Sequence, residues 1–215
     1  MNNTFNNILI IGLGLIGSSI ARAIKKNNIS QKIYGVDKNQ DVLLKCKDLD
    51  IVIDSKENIT DFSIQFDLII ICSPLSSYKE IFLALNGFVK ESTLITDVGS
   101  TKISVIEDFK KSCKNKNIFF IPGHPIAGIE KSGPEYGFAD LFENRYCILT
   151  PFEKNNNQFD KIKFFWETLG MKVETLDANY HDRVLAMTSH LPQLIAYSIV
   201  YTANELEENL KEEVI

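Results

Sequence analysis

Three glycines near the N-terminus have the spacing of a nucleotide-phosphate site. Gly12, Gly14 and Gly17 follow an apolar run and open an amphipathic stretch. In such a site the first glycine allows a tight turn, the second lets the backbone approach a pyrophosphate, and the third lets a helix pack closely on a strand. At the start of the predicted helix, Leu15 and Ile16 would supply free N–H groups at the positive end of the helix dipole.

An acidic residue extends this pattern to a whole dinucleotide. Asp37 ends a second apolar run and lies twenty residues after Gly17, where a carboxylate accepts hydrogen bonds from the adenine ribose hydroxyls. An acid at this position also repels a 2′-phosphate, so the sequence favours NAD over NADP, although the neighbouring Lys38 would partly offset the repulsion. Glycines alone could serve only the close packing of a strand on a helix. Because Asp37 is also present, a cofactor site is the stronger interpretation.

Two polar segments directly follow predicted strands, where ligands bind in sheets of this class. Ser73 and Pro74 would place small groups beside the cofactor. Ser100 lies in the segment 97–102, after the next strand. Ser100 is a candidate active-site residue, and its alternative role is to cap the following helix. Lys102 could instead be a surface cation.

A third segment, rich in glycine and proline, contains His124 between Gly123 and Pro125. The following proline keeps the histidine backbone extended. A fixed histidine at a strand end is suited to act as a general base. The alternative is a histidine that satisfies backbone groups of its own loop.

Short apolar runs alternate with helical patterns, which predicts an α/β fold with a Rossmann-like, doubly wound, mainly parallel sheet. The predicted strands are 8–11, 32–36, 51–53, 67–72, 94–97, 119–121, 146–150 and 171–175. The predicted crossover helices are 16–27, 39–47, 76–87, 102–114 and 158–169. From about residue 178 one long helical stretch predicts the start of a second, helical domain, so the expected domains are 1–176 and 177–215.

Composition limits the class of partner. The 215 residues, 45% of them hydrophobic, can bury a sizeable core, and a net charge of −5 argues against nucleic acid or an anionic membrane as partner. The four cysteines lack the spacing of a zinc or redox motif, so no metal is expected. No run reaches membrane-spanning length and the N-terminus has no signal-peptide pattern, so we expect a cytoplasmic protein.

Two histidines fall in the predicted helical part. His181 and His190 are nine positions apart, which places them on opposite faces of an unbroken α-helix. His190 is the better site candidate, because Pro192 would free a backbone carbonyl near Thr188 and kink the helix there. A packed core histidine is its alternative. His181 and the adjacent Asp182 are expected to form a cap or a surface pair.

Several segments together resemble the prephenate dehydrogenase family, which includes arogenate and cyclohexadienyl dehydrogenases. The resemblance covers about residues 7–200. Its most specific segments are Gly123-His-Pro-Ile-Ala-Gly128 and Thr188-Ser-His-Leu-Pro192. The others are Gly-Leu-Gly-Leu-Ile-Gly-Ser-Ser at 12–19, Asp97-Val-Gly-Ser-Thr-Lys102, Glu130-Lys-Ser-Gly133, Phe142-Glu-Asn-Arg145 and Leu149-Thr-Pro151.

The resemblance implies NAD-dependent oxidative decarboxylation of prephenate, or of its amino analogue arogenate, in tyrosine biosynthesis. His124 would deprotonate the ring hydroxyl, and Ser100 would lie near both that hydroxyl and the nicotinamide. His190, Gln193 and Arg145 are the further candidates for substrate contact, since a bidentate arginine suits a carboxylate.

The chain departs from the family pattern at its C-terminus. Members usually continue through a helical dimerisation domain, in a segment that carries the arginine expected to bind the ring carboxylate. The chain therefore looks cut short, and we expect NAD binding with little turnover, and a homodimer for the full-length fold. Two interpretations stay open: a different two-domain nicotinamide enzyme, such as a β-hydroxyacid dehydrogenase or imine reductase, and an NAD-binding module without turnover.

Overall fold

Six parallel strands form the main sheet of the computed structural model, which describes residues 5–152 and 156–213. Their spatial order is β3-β2-β1-β4-β5-β6, so the chain reverses its direction of winding between β1 and β4. This is the Rossmann-like fold that the sequence predicts. The strands are β1 (Asn7–Ile11), β2 (Lys32–Val36), β3 (Asp54–Lys56), β4 (Leu68–Ile71), β5 (Thr93–Asp97) and β6 (Ile118–Ile121).

Helices cover both faces of this sheet, because its central strands are apolar on both sides. In β1, Ile8 and Ile10 belong to the core layer under α1, α2 and α5. Leu9 and Ile11 belong to the opposite layer, under α3 and α4. These helices are α1 (Leu15–Lys26), α2 (Gln40–Asp48), α3 (Tyr78–Phe88), α4 (Ile103–Ser112) and α5 (Asn157–Thr168).

The strand predicted at 51–53 is wrong by three residues. Ile51 and Val52 are buried core residues outside any strand, and β3 follows them as the polar segment Asp54–Lys56. An edge strand pairs on one side only and needs few apolar residues. The apolar run at 51–53 therefore indicates core packing, and the strand that pairs with β2 begins after it.

A second, three-stranded sheet was not anticipated. It contains β7 (Gly123–Pro125), β8 (Tyr146–Leu149) and β9 (Lys172–Thr175). β7 pairs antiparallel with β8, which pairs parallel with β9. Only three residues long and bounded by prolines, β7 gives no periodic signal, yet it fixes the backbone that carries His124.

The C-terminal part is a continuous helical segment in three pieces, α6 (Ala178–Leu185), a π-helical turn (Ala186–His190) and α7 (Leu191–Glu213). Apolar side chains of α7 are solvent-exposed, with Leu194, Tyr197 and Tyr201 each 63–66% exposed. Among the helices of the described residues, none combines the length and hydropathy needed to cross a bilayer.

Candidate functional site

The glycine loop between β1 and α1 leaves space at one position and none at two others. Gly12 has φ +95°, and a Cβ there would lie 2.7 Å from the backbone of Cys72 and Ser73. A Cβ on Gly17 would lie 2.0 Å from the Gly12 carbonyl oxygen. Apart from its two chain neighbours, no described residue has a heavy atom within 4 Å of the Gly14 Cβ position. The loop therefore has an open surface at Gly14, where a ligand can reach the backbone.

The start of α1 presents unpaired donors at that open surface. Gly14 is the N-cap residue, and none of the described side chains caps the helix. The next N–H groups, of Leu15 and Ile16, lie in the first turn, where an α-helix has no internal acceptors. An anion beside Gly14 would meet both these donors and the positive end of the helix dipole.

Asp37 lies at the end of β2 and faces the same loop. Its Oδ2 accepts the Leu13 N–H at 2.8 Å, and its Oδ1 accepts the Asn39 N–H at 2.9 Å. Both contacts fix the carboxylate in place, and each oxygen keeps a further lone pair. Asp37 thus organises the loop and remains able to accept a ligand hydroxyl.

A cleft of about 830 Å³ runs along this edge of the sheet. On its far side Ser73 and Pro74 follow β4, and the Ser77 hydroxyl bonds the Ser73 hydroxyl at 2.9 Å. Lys38 and Glu80, both exposed, form an ion pair of 3.2 Å between the two sides. The volume suits an elongated cofactor. Its lining includes Ile11, Gly12, Gly14, Val36, Asp37, Lys38, Ser73, Pro74, Ser77, Glu80 and Ala84.

His124 is held by a chain of hydrogen bonds that reaches α6. Its Nδ1 lies 2.9 Å from His181 Nε2, and His181 Nδ1 lies 2.7 Å from Asp182 Oδ1. His181 is fully buried. The expectation that His181 and Asp182 form a surface pair is therefore wrong for the histidine.

The other ring nitrogen of His124, Nε2, has no hydrogen-bond partner among the described residues. The buried polar side-chain atoms without a partner in the described part of the chain are Thr96 Oγ1, Thr150 Oγ1 and Trp166 Nε1. His124 Nε2 is not among them, and no hydrogen bond of the described residues uses it. This nitrogen is therefore free of protein partners in the described residues and keeps some accessible surface.

Burial lowers the pKa of His124 from 6.5 to about 3. The charges of Lys102, His181 and His190 act in the same direction, and Asp182 opposes them. The imidazole is thus neutral at physiological pH, with one nitrogen free to accept a proton.

A buried ion pair lies beneath His124. Lys102 and Asp97 have no exposed side-chain surface, and Nζ lies 2.6 Å from Oδ2. Lys102 also donates to the Gly123 carbonyl at 2.6 Å, while Asp97 Oδ1 accepts the Gly123 N–H at 2.9 Å. The pair therefore ties β7 to the end of β5. Lys102 is not the surface cation that the sequence left open.

His190 lies near His124 as well, since its charge lowers the pKa of His124. The expectation that His181 and His190 cannot face one site assumed an unbroken α-helix. The π-helical turn Ala186–His190 uses more residues per rotation, so the nine-residue spacing no longer places the two histidines on opposite faces. A π-turn next to Pro192 agrees with the local distortion expected there.

Ser100 is exposed in the loop between β5 and α4. The N-cap residue of α4 is Lys102, and the Asp182 carboxylate accepts the Lys102 and Ile103 N–H groups at 2.8 and 2.9 Å. Ser100 therefore does not cap α4, which was its alternative role. Its hydroxyl is in none of the hydrogen bonds of the described residues and is available to a ligand.

The remaining two substrate candidates are exposed and outside this cluster. Arg145 precedes β8 by one residue, three positions from Ile148, which pairs with His124. Gln193 lies on α7 and donates to the Tyr197 hydroxyl at 3.3 Å. Among residues 5–152 and 156–213, no hydrogen bond or ion pair joins either side chain to His124.

Sequence reasoning missed the roles of four residues, Asp97, Lys102, His181 and Asp182. Each lies in or beside a segment that it had singled out, but the pairings join residues far apart in sequence. The single available signal was the grouping of acid and base, with Asp97 and Lys102 in one strand-end segment and His181 next to Asp182.

Known proteins share the sequence pattern of this chain. The model of the prephenate dehydrogenase nucleotide-binding domain matches residues 20–175, and that of the dimerization domain matches 177–214. Cyclohexadienyl dehydrogenase of Zymomonas mobilis is 38% identical over 91% of this chain and 67% of its own length. Prephenate dehydrogenase of Lactococcus lactis is 36% identical, and the chain spans 54% of it.

A solved structure gives the same result. Prephenate dehydrogenase from A. aeolicus, in complex with hydroxyphenyl propionate and NAD+, has a TM-score of 0.84 and 35% identity, over 92% of this chain and 68% of that one. The chain thus belongs to the prephenate dehydrogenase family.

Proposed function

We propose that the chain performs NAD-dependent oxidative decarboxylation of prephenate, giving 4-hydroxyphenylpyruvate. The observation that carries the proposal is the neutral His124, whose Nε2 has no protein partner among the described residues and reaches solvent. Family membership supports the same chemistry.

The cofactor site in this proposal is the cleft beside the glycine loop. Gly14, with the N–H groups of Leu15 and Ile16, would bind the pyrophosphate, and Asp37 would accept the adenine ribose hydroxyls. Ser73 and Pro74 would contact the nicotinamide half. Lys38 is paired with Glu80, so it is less available to a 2′-phosphate and NAD is favoured over NADP.

The bound NAD would accept a hydride from the ring carbon that bears the substrate hydroxyl. His124 Nε2 accepts the hydroxyl proton as the hydride leaves, the ring carboxylate departs as CO2, and the ring becomes aromatic. The phenol oxygen then recovers the proton from His124. Ser100, on the exposed β5–α4 loop, would orient the hydroxyl.

Replacing Gly14 by alanine tests the cofactor site without disturbing the fold. Gly14 has φ −67° and space around its Cβ position, so we expect the free energy of unfolding to change by less than about 1 kcal/mol. NAD affinity should fall about 10- to 100-fold, equivalent to one lost charged hydrogen bond. Calorimetric titration with NAD measures this.

Gly87→Ala is the matched control, because its Cβ position is equally open but lies on α3 outside the cleft lining. Its NAD affinity should stay unchanged. Equal affinities for wild type and Gly14→Ala would place the cofactor elsewhere.

Arogenate is the second candidate substrate, because the Zymomonas relative is named a cyclohexadienyl dehydrogenase. The two substrates differ in the side chain, which carries a keto group or an ammonium group. Gln193 and His190, which lie on the helical segment, are the candidates to contact that side chain. A dimer, by way of the exposed α7, belongs to the same proposal.

The experiment that tests the function follows NADH absorbance with prephenate and with arogenate. It uses this chain and a version extended at its C-terminus, since the chain spans 54–67% of the two relatives. Turnover in either version supports the proposal, and the preferred substrate completes it. NAD binding without turnover in both versions would favour a binding module or a different substrate.

A further inference from the structure

His124 is the first of three groups that continue into α6, and the reaction proposed above uses only that first one. His181 lies behind His124, fully buried, and Asp182 lies behind His181. A neutral histidine has one nitrogen that donates and one that accepts. Which nitrogen of His124 is free to accept the substrate proton therefore depends on its neighbours.

The hydrogen-bond directions can be assigned from the charged end. Burial acts to raise the pKa of Asp182, but the N–H donors of Ile103 and Lys102, together with the His181 ring, hold that pKa below its usual value. An ionised carboxylate only accepts hydrogen bonds. The proton between Asp182 and His181 must therefore be on His181 Nδ1.

The assignment passes from His181 to His124. Burial lowers the pKa of His181, so its ring is neutral, and with Nδ1 protonated its Nε2 can only accept. The hydrogen bond of 2.9 Å between the rings then requires a proton on His124 Nδ1. His124 Nε2 is left as the unprotonated nitrogen, and it is the one that reaches solvent.

We propose that His181 and Asp182 are positioning residues that fix His124 in the tautomer with a proton on Nδ1 and a free lone pair on Nε2. The opposite tautomer would present an N–H to the substrate hydroxyl and could not take its proton. Asp182 also caps α4 through the Lys102 and Ile103 N–H groups. One carboxylate thus sets the tautomer and anchors the loop that carries Ser100. The value of this tautomer for catalysis rests on the proposed function, whereas the tautomer itself does not.

Nitrogen-15 NMR of the uniformly labelled chain at neutral pH tests the assignment directly. The expected spectrum shows His124 with a protonated Nδ1 and an unprotonated Nε2. A His124 protonated on Nε2 would overturn the proposal. This measurement needs neither cofactor nor substrate. The tautomer assignment can therefore be wrong while the proposed function is right, and the proposed function can be wrong while the assignment is right.

His181→Phe keeps an aromatic ring in the buried position and removes the acceptor nitrogen. We expect His124 to lose its single tautomer. In whichever length of chain turns over, kcat should fall on the order of 10²–10⁴-fold, the range for general-base catalysis, and NAD affinity should stay unchanged.

Asp177→Ala is the control at the start of the same helix, because it removes the cap bonds to the Asn179 and Tyr180 N–H groups. It should lower the thermal unfolding midpoint of the chain and leave the His124 tautomer as it was. If His124 kept the single Nδ1–H tautomer in His181→Phe, the proposal would be contradicted. If His181→Phe does not fold, the spectrum of the wild-type chain decides the assignment.

Discussion

Substitution of His124 by asparagine is expected to lower kcat for prephenate on the order of 10²–10⁴-fold, because the variant lacks the general base. The NAD affinity should not change, since the glycine loop and Asp37 lie on different strands from β7. The assay follows NADH absorbance at saturating NAD, in whichever length of chain turns over, and calorimetry gives the cofactor affinity.

Ile148→Val is the matched control for that variant. Ile148 lies opposite His124 in the β7–β8 pairing, so the change disturbs the same small sheet and removes no ring nitrogen. It should cost about 0.5–1.5 kcal/mol of stability and leave kcat near the wild-type value. If His124→Asn kept full turnover, the reaction would not depend on His124. The chain would then be a different two-domain nicotinamide enzyme from the one proposed.

Features set by neighbouring residues could be predicted from the sequence. The turn at Gly12, with its positive φ, follows from the glycine spacing, and the extended backbone of His124 follows from Pro125. The buried runs of β1 and β4 are long enough to mark central strands. In each of these, the determining contacts lie within a few residues or within one apolar run.

Features set by distant pairing could not be predicted. His124 and His181 are 57 positions apart, and their contact depends on how α6 returns to β7. The periodicity argument against a shared site failed because one π-helical turn changes the rotation between His181 and His190. For Lys102 the sequence left a surface cation open, whereas its ammonium group is buried against Asp97 and the Gly123 carbonyl of β7.

Lys102→Met should lower the free energy of unfolding by about 3–5 kcal/mol, the usual cost of leaving one buried charge unpaired. Methionine replaces much of the lysine stem, so loss of packing contributes little. Asp97 would keep its bonds from the Tyr78 hydroxyl and from the Gly99 and Gly123 N–H groups, but it would lose its only cationic partner in the described structure. Urea unfolding at pH 7 measures the difference.

The same substitution at Lys111 separates burial from charge. Lys111 forms an exposed ion pair of 2.9 Å with Glu107 on the same helix, and exposed pairs are worth little, so Lys111→Met should leave the stability close to the wild-type value. Adding Asp97→Asn to Lys102→Met removes the unpaired charge, and the double variant should lose less stability than the two single variants added together. Simple additivity, or a loss below about 1 kcal/mol for Lys102→Met, would show that the two charges are not coupled in a buried pair. The link between β5 and the strand of His124 would then rest on the two separate bonds to Gly123, from its N–H to Asp97 Oδ1 and from Lys102 Nζ to its carbonyl.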